Sequence, residues 1–213
     1  VPVGGFNPQK VKDFAAGMDL TLGIKLGKLV IFDKDYRSSA EVKNIETELR
    51  RFCWHACIHD RKEIENYLLS PNAISRAAIK RLPEESKSDG PTPADIERIL
   101  RELAHGLKND VQSQLVTSGQ RFQKGADPSS HASVISKEVM NEFDTKWNIF
   151  EEQMKIVPGK EMLSRLNQCL QRDYKISITP SNVIDSFLKS EIPEAIATII
   201  NNCRDFANTP FDE

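Results

Sequence analysis

The stretch Leu29-Val-Ile-Phe-Asp33-Lys-Asp35 decides how the fold of this chain is interpreted. Its first four residues are apolar and lie between Gly27 and Asp33, which predicts a short buried strand. The carboxylates of Asp33 and Asp35 follow one residue apart, so both side chains are expected to leave the strand end on the same face. Paired carboxylates in such a place bind hard cations such as Mg²⁺ or Mn²⁺, which keep part of their water shell for a phosphate.

The residues after this stretch predict a strand–helix–strand unit. Ser38 or Ser39 is expected to cap a helix whose apolar residues recur at three- and four-residue steps, namely Val42, Ile45, Leu49 and Phe52. A second short strand at about residues 56–59 follows directly. Strand, helix and strand in ~30 residues form the βαβ unit of parallel sheets. Ligand sites in such sheets lie at the carboxyl ends of the strands, where Asp33 and Asp35 stand.

The chain is therefore predicted to be an α/β protein in three segments. Residues 1–81 form the α/β core and begin with a helix at about 8–17. Residues 82–155 form a helical insertion, in which Thr92 caps one helix and a second helix covers 136–154. Residues 156–213 complete the domain with C-terminal helices at about 160–173, 181–189 and 193–207. The last of these is expected to face a core with Ile196, Ile199, Ile200, Cys203 and Phe206.

Composition is that of an ordinary soluble globular chain, with 213 residues, 39% hydrophobic and 28% charged. No apolar run approaches the ~20 residues needed to span a bilayer, and no secretory signal is recognisable, so the expected location is the cytoplasm. The net charge of −2 is uninformative about DNA, because a nucleic-acid enzyme needs only a local cationic groove. Four scattered cysteines predict reduced thiols rather than a disulfide scaffold.

A second acidic pair, Glu63 and Glu65, stands just past the second predicted strand. In a parallel sheet this pair would come up beside Asp33 and Asp35. If residues 62–66 are extended, the two glutamates share a face, whereas in a helix they point in roughly opposite directions and only one can be a ligand. The plain alternative for both acidic pairs is a solvated loop or the first turn of a helix, where negative charge is favourable.

The alternating residues Cys53, His55, Cys57 and His59 have the chemistry of zinc ligands but not the spacing. Same-face residues on a strand stand ~6.6 Å apart, whereas the ligands of one tetrahedral zinc lie within ~4 Å of each other. One ion cannot bind all four. Cys53 and Cys57 are therefore expected to be small core residues where the helix meets the strand.

Three motifs, in this order along the chain, resemble one known family. The motifs are Phe32-Asp33-Lys-Asp35-Tyr36-Arg37-Ser38, Glu63-Ile-Glu65-Asn66-Tyr67-Leu-Leu69 and Pro158-Gly159-Lys160. Together they look like the Toprim nuclease domain of the overcoming-lysogenization-defect (OLD) family of ATP-dependent endonucleases. The resemblance covers most of the chain, and it implies a Toprim-like parallel sheet. Gly4 and Gly5 resemble the glycine turn that follows the second Toprim strand.

The resemblance implies a metal-dependent DNA endonuclease in a bacterial antiphage context. Asp33 and Asp35 match the family's metal-binding Asp-x-Asp, Glu63 or Glu65 its later acidic ligand, and Lys160 its catalytic lysine. The implied cofactor is Mg²⁺ or Mn²⁺, and the implied substrate is DNA. The plain alternative for Lys160 is a solvated lysine paired with Glu161 or Glu152.

The chain departs from the family pattern at its beginning. The family's first metal-binding glutamate lies on a strand upstream of the glycine turn, and the sequence begins after that strand, at Val1. Family members also carry an N-terminal ATP-binding-cassette ATPase, and Gly159-Lys160-Glu161 is not the phosphate-binding loop of such a domain. The chain is therefore expected to be the C-terminal part of a longer ATPase–nuclease and to be weak or inactive alone.

Two other functions fit the same residues. The helices after residue 82 could form a non-catalytic module for dimerisation or partner binding, because their amphipathic stripes must be covered by something. A homodimer is the expected assembly, and packing of these stripes within their own domain is an equal alternative. A primase-like enzyme would use the same Toprim metals. Tyr36 or Tyr67 could serve as a nucleophile of the topoisomerase type, but no separate tyrosine-bearing domain is evident.

Overall fold

The structure, a computed structural model, describes residues 7–24 and 27–209. The chain divides into two compact units. The first unit comprises the chain up to Asp60 together with the chain from Pro193 onward, and the second runs from Arg61 to Ile192. The predicted glycine turn at Gly4 and Gly5 lies outside the described residues.

The first unit contains the predicted parallel strands. Strand β1 (Leu29–Phe32) pairs in parallel with strand β2 (His55–Ile58), and Phe32 stands opposite Ile58 at their carboxyl ends. Helix α2 (Ser39–Leu49) connects the two strands. The prediction of an α/β unit with parallel strands is thus confirmed, and among the described residues the sheet consists of these two strands.

Local sequence signals explain where the helices of this unit begin and end. Helix α2 begins as predicted, because the Ser38 side chain accepts a hydrogen bond from the Glu41 amide at 3.2 Å. Helix α1 (Pro8–Leu22) runs beyond the predicted end near residue 17 and stops at Gly23, whose φ of 70° is the left-handed conformation typical of a helix C-terminus. Gly17 does not end this helix, since an exposed glycine lowers helix stability without blocking the helix.

Apolar residues from the helices and both strands form the core of the first unit. Its buried members are Val11, Phe32, Leu49, Cys53, Ala56 and Ile58. Helix α9 (Glu194–Asn208) contacts β2 and buries Ile199. The prediction that Ile200 faces the core is wrong, because this side chain is 59% exposed. It lies about 100° around the helix from Ile199.

The second unit is built from helices. They are α3 (Pro71–Arg81), α4 (Pro93–Ala126), α5 (Ala132–Trp147), α6 (Phe150–Ile156), α7 (Gly159–Tyr174) and α8 (Pro180–Ile184), with shorter 3-10 helices at Ile64–Leu68, Glu84–Asp89 and Lys189–Glu191. Thr92 caps α4 as predicted. Its hydroxyl accepts a hydrogen bond from the Asp95 amide at 3.2 Å, and the Asp95 carboxylate accepts one from the Thr92 amide at 3.0 Å.

Two predicted helices differ in the structure. The single helix expected over 136–154 is divided into α5 and α6 at Ile149, which is extended with φ −95° and ψ 115°. Glu151 and Glu152 then occupy the first turn of α6, where negative charge favours a new helix start. The helix expected over 181–189 ends at Ile184, and a separate 3-10 turn begins at Lys189.

The amphipathic stripes of the middle helices are covered inside the second unit. Helix α4 packs against α3, α5 and α7. Its buried apolar residues are Ile96, Ile99, Leu100, Ala104, Leu107 and Val111. These stripes therefore do not require a second protein to cover them, and the homodimer stays a prediction. No helix that the structure describes is both long and apolar enough to cross a membrane.

The compact units divide the chain differently from the predicted segments 1–81, 82–155 and 156–213. Residues 61–81 belong with α4 to α8, because the 3-10 helix Ile64–Leu68 packs on α7 and α3 packs on α4. The last helix, α9, belongs with the two strands. A segment that follows a strand in sequence thus joins the helical unit.

Substitution of two glycines in α4 by alanine is expected to change the stability of the protein in opposite directions. Gly106→Ala should raise the free energy of unfolding by about 0.5–1 kcal/mol, because the site has open space and alanine is the better helix former. At Gly119 an added Cβ would lie 2.8 Å from Cγ2 of Val139, whose branched side chain is stiff. Gly119→Ala should therefore lower that free energy, since overpacking typically costs about 1–3 kcal/mol. Urea unfolding of both variants measures the difference, and equal stabilisation would contradict the packing of α4 on α5.

Candidate functional site

Asp33 and His59 face each other at the carboxyl end of the two-stranded sheet. They directly follow Phe32 and Ile58, which are partners in register. Nε2 of His59 lies 2.8 Å from Oδ1 of Asp33, and the exposed fractions of the two side chains are 1% and 37%. A buried imidazole therefore fixes the orientation of a carboxylate that stays partly accessible to solvent.

Asp35 lies in a turn rather than in the strand. Strand β1 ends at Phe32, and Asp35 has a φ of 49°, in the left-handed region. Its Oδ2 accepts a hydrogen bond from Nη1 of Arg37 at 2.7 Å. The expectation that Asp33 and Asp35 extend from one face of a strand is therefore wrong, because Asp35 lies inside a turn that the Arg37 amide closes on the Lys34 carbonyl at 3.3 Å. Aspartate tolerates this conformation better than most residues, and such outliers cluster at functional sites.

Glu63 and Glu65 stand at the start of the 3-10 helix Ile64–Leu68 in the second unit. Glu63 is extended, with φ −134° and ψ 155°, and it is the N-cap residue. Glu65 lies in the first turn. The segment is thus extended at Glu63 and helical from Ile64 onward, so neither predicted alternative describes all of it, and the two carboxylates have different surroundings.

Both carboxylate oxygens of Glu63 have partners. Oε2 accepts a hydrogen bond from the backbone amide of Lys160 at 2.9 Å, and Oε1 accepts one from Nζ of Lys62. Burial raises the pKa of Glu63, but the hydrogen bonds from Lys62 and from the Lys160 amide, with the charges of both lysines, outweigh burial and hold the pKa below its ordinary value. Glu63 is therefore an ionised cap for the first turn of α7, where Pro158 supplies no side-chain cap.

Glu65 has a carboxylate oxygen available for a further partner. Its Oε1 lies 3.7 Å from Nζ of Lys160, and the exposed fractions of the Glu65 and Lys160 side chains are 23% and 65%. Its Oε2 is buried and has no hydrogen-bond partner among the described residues. An uncompensated buried carboxylate oxygen is costly, so this position suits an additional cation or hydrogen-bond donor. Of the two glutamates, Glu65 therefore fits a metal ligand better.

Lys160 stands at the start of α7 with a side chain that extends into solvent. The plain alternative, a pair with Glu152 or Glu161, does not describe its contacts, since Glu152 pairs with Lys155 and Glu161 pairs with Arg165. The second unit thus brings together Glu63, Glu65 and Lys160, although Glu63 and Lys160 are 97 residues apart. Asp33 and Asp35 belong to the first unit.

His59 and Asn66 are two buried polar residues that contact the candidate site residues and that the sequence does not predict to be functional. The sequence marks His59 only by zinc-ligand chemistry, whereas its position directly after β2, opposite the residue that follows β1, is what places it beside Asp33. Asn66 is fully buried and bonded to three backbone groups. No signal in the sequence pointed to its partners. Tyr67 is only 5% exposed and lies under the guanidinium of Arg61, so its ring is not presented to a substrate in solution.

The described residues contain no group of three or more His, Cys, Asp or Glu side chains that could hold a metal ion. Cys53 is a buried core residue, as expected, whereas Cys57 is half-buried and is not among the buried core residues. Burial raises the pKa of both Cys53 and Cys57, which keeps their thiols protonated, and His55 is bonded to Asn202 at 3.0 Å.

Neither a protein family model, nor a curated protein, nor a solved structure matches this chain.

Replacement of Glu63 is expected to change the pH dependence of stability. Because the folded-state pKa of Glu63 is lowered, its stabilising effect is complete above its ordinary pKa of 4.5 and is lost as pH falls through the folded value. Glu63→Gln keeps an acceptor oxygen but removes the negative charge, so it should lower the free energy of unfolding by about 1 kcal/mol at pH 7, and the deficit should shrink below pH 4.5. Urea unfolding across this range measures the deficit, with exposed Glu138→Gln as the control. A deficit independent of pH would contradict the capping role.

Proposed function

We propose that this protein is a metal-dependent DNA endonuclease of Toprim type, which hydrolyses phosphodiester bonds. The observation that supports the proposal most is the convergence of Lys160 with Glu63 and Glu65 in the second unit. The two sequence motifs that contain these residues were linked only by the family resemblance. Their proximity is what an active site built from both motifs requires.

The side chains proposed to bind Mg²⁺ or Mn²⁺ are Asp33 and Asp35 in the first unit and, in the second unit, Glu65 with Glu63 as the alternative. When bound, such ions lower the pKa of an attacking water and offset charge on the leaving oxygen. The buried Oε2 of Glu65 and the partly exposed carboxylate of Asp33 are the observations that fit this role. A further glutamate from upstream of Val1 is part of the proposal, since the family pattern includes it.

Lys160 is proposed to stabilise negative charge on the phosphate. Its side chain is 65% exposed, and its ammonium lies 3.7 Å from one oxygen of Glu65, so the lysine is held near a carboxylate while its side chain stays accessible to solvent. A positioned cation that faces developing charge is among the largest contributions to phosphoryl-group chemistry. No protein nucleophile is needed in this mechanism, because water attacks the phosphorus.

The wider setting of the protein is also a proposal. By the same resemblance the nuclease would be the C-terminal part of a longer protein with an N-terminal ATP-binding-cassette ATPase, acting on DNA in bacteria against phage. A cytoplasmic location and a homodimer are separate proposals, made from the sequence pattern and not from the resemblance. A non-catalytic interaction module and a primase-like enzyme are the rival functions. Metal-dependent nicking of plasmid DNA separates the nuclease from both, and nucleotide incorporation on a single-stranded template identifies a primase.

Lys160→Ala is expected to remove most DNA cleavage. In a form of the protein extended upstream of Val1, the variant should lose ~10²–10³-fold in the rate of Mn²⁺-dependent plasmid nicking, because one charge that stabilises the transition state is gone. It should still bind Mn²⁺, since Lys160 is not a ligand. The exposed Lys137 of α5 supplies the control variant Lys137→Ala, which should cleave at the unaltered rate. Cleavage by Lys160→Ala at that same rate would exclude the proposed role. Strong cleavage by residues 1–213 alone would show that the upstream glutamate is dispensable.

Asp33→Ala is expected to abolish Mn²⁺ binding at the strand-end site. Calorimetric titration of the 213-residue chain with Mn²⁺ should show binding that this variant loses without unfolding. Asp13→Ala is a suitable control, because Asp13 is an exposed carboxylate of α1 in the same unit. Unchanged Mn²⁺ binding by Asp33→Ala would contradict the cation site.

A further inference from the structure

Asn66 lies between the acidic residues and the lysine of the proposed site. It belongs to the 3-10 helix Ile64–Leu68, directly after Glu65, and its exposed fraction is 0%. Its amide nitrogen Nδ2 donates two hydrogen bonds, to the carbonyl oxygen of Met154 at 2.8 Å and to that of Val157 at 2.7 Å. Carbonyl groups at the end of a helix such as α6 have no partner within the helix. The Asn66 side chain is the hydrogen-bond donor for these two carbonyl groups.

The opposite end of the same side chain binds the segment that carries the glutamates. Oδ1 of Asn66 accepts a hydrogen bond from the backbone amide of Glu63 at 2.8 Å. Both amide hydrogens and the carbonyl oxygen are therefore used, and all the partners are backbone groups. A single side chain thus joins the backbone at Glu63 to the backbone between α6 and α7.

Gly159 allows the two segments to approach closely. A Cβ atom at this position would lie 2.8 Å from the backbone nitrogen of Asn66 and 2.8 Å from its Oδ1. Any other residue would push the start of α7 away from Asn66. The next residue is Lys160, whose amide donates to Glu63 at 2.9 Å and whose ammonium lies 3.7 Å from Glu65.

We infer that Asn66 is a positioning residue, which holds Lys160 at a fixed distance from Glu63 and Glu65 through its contact with Gly159 and its three hydrogen bonds. The inference rests on the proposed function and adds to it the residue that assembles the site. A second tie between the same segments, from the Lys62 amide to the Lys155 carbonyl at 2.8 Å, does not involve the Asn66 side chain. Loss of Asn66 should therefore loosen the position of Lys160 without separating the segments.

Asn167 provides a matched control within the same unit. It lies on α7, and its side chain also bridges backbone groups, donating to the Ile178 carbonyl at 2.8 Å and accepting from the Ile178 amide at 2.8 Å. It makes no contact with Glu63 or with the start of α7 in these hydrogen bonds. Asn66→Ala and Asn167→Ala both remove a bridging amide, but only the first removes one beside Lys160.

Amide hydrogen exchange at Lys160 tests the positioning without any assay of activity. In the 213-residue chain, Asn66→Ala should raise the exchange rate at this amide at least tenfold relative to the unaltered protein, because its hydrogen bond to Glu63 is no longer held in place. Asn167→Ala should leave the rate within about threefold. If Asn66→Ala does not fold, Gly159→Ala tests the same contact from the other side and should give the same increase. An unchanged exchange rate at Lys160 in the folded variant would overturn the inference.

A double-mutant cycle on DNA cleavage tests whether Asn66 acts through Lys160. Asn66→Ala should lower kcat by about 10²-fold with little change in KM, as expected for a misplaced catalytic group. In the Lys160→Ala background the same substitution should cost less than threefold, whereas losses that simply multiply would overturn the inference. Absence of cleavage by the unaltered, upstream-extended protein would instead overturn the proposed function, and the exchange experiment would still decide whether Asn66 positions Lys160.

Discussion

The close approach of Gly159 to Asn66 is the constraint on which the candidate site depends. Glycine at 159 lets the backbone at the start of α7 contact a buried side chain, and that contact places the amide of Lys160 against Glu63. The order Pro158-Gly159-Lys160 then has a physical meaning at each position. Proline ends the preceding segment in an extended conformation, glycine provides space, and lysine contributes both an amide and a charge.

The two glutamates of the second unit differ in how completely their negative charges are compensated. The negative charge of Glu63 is compensated by the Lys62 ammonium, and its other oxygen accepts a hydrogen bond from the Lys160 amide. Both oxygens therefore have structural partners. Glu65 is compensated less completely, because its contact with Lys160 is 3.7 Å long and its other oxygen is buried without a hydrogen bond. The first carboxylate is therefore suited to capping and the second to chemistry, a distinction that depends on neighbours rather than on residue type.

Local signals in the sequence were sufficient for the strands and for several helix starts. The apolar run Leu29–Phe32 and the caps at Ser38 and Thr92 are determined by neighbouring residues, so pattern alone identified them. The turn at Asp35 depends on the path of the chain after β1, and the exposure of Ile200 depends on which face of α9 packs against other elements. Neither is contained in the local pattern. The pairing of His59 with Asp33 needs the register of two strands. The partners of Asn66 lie 88 and 91 residues away, and no periodicity within one segment contains that information.

Several residues to which the proposed function assigns a role have locally unfavourable features. A lysine at a helix N-terminus is unfavourable by roughly 0.3–1 kcal/mol, because its charge opposes the helix dipole. Asp35 adopts a left-handed conformation that strains most residues, and Glu65 leaves a carboxylate oxygen buried without a hydrogen bond. Aspartate tolerates this conformation better than most residues and Asp35 also pairs with Arg37, so the unfavourable features lie mainly at Lys160 and Glu65. Departures from local consistency of this kind are frequent at functional sites, so they support the roles proposed for these residues.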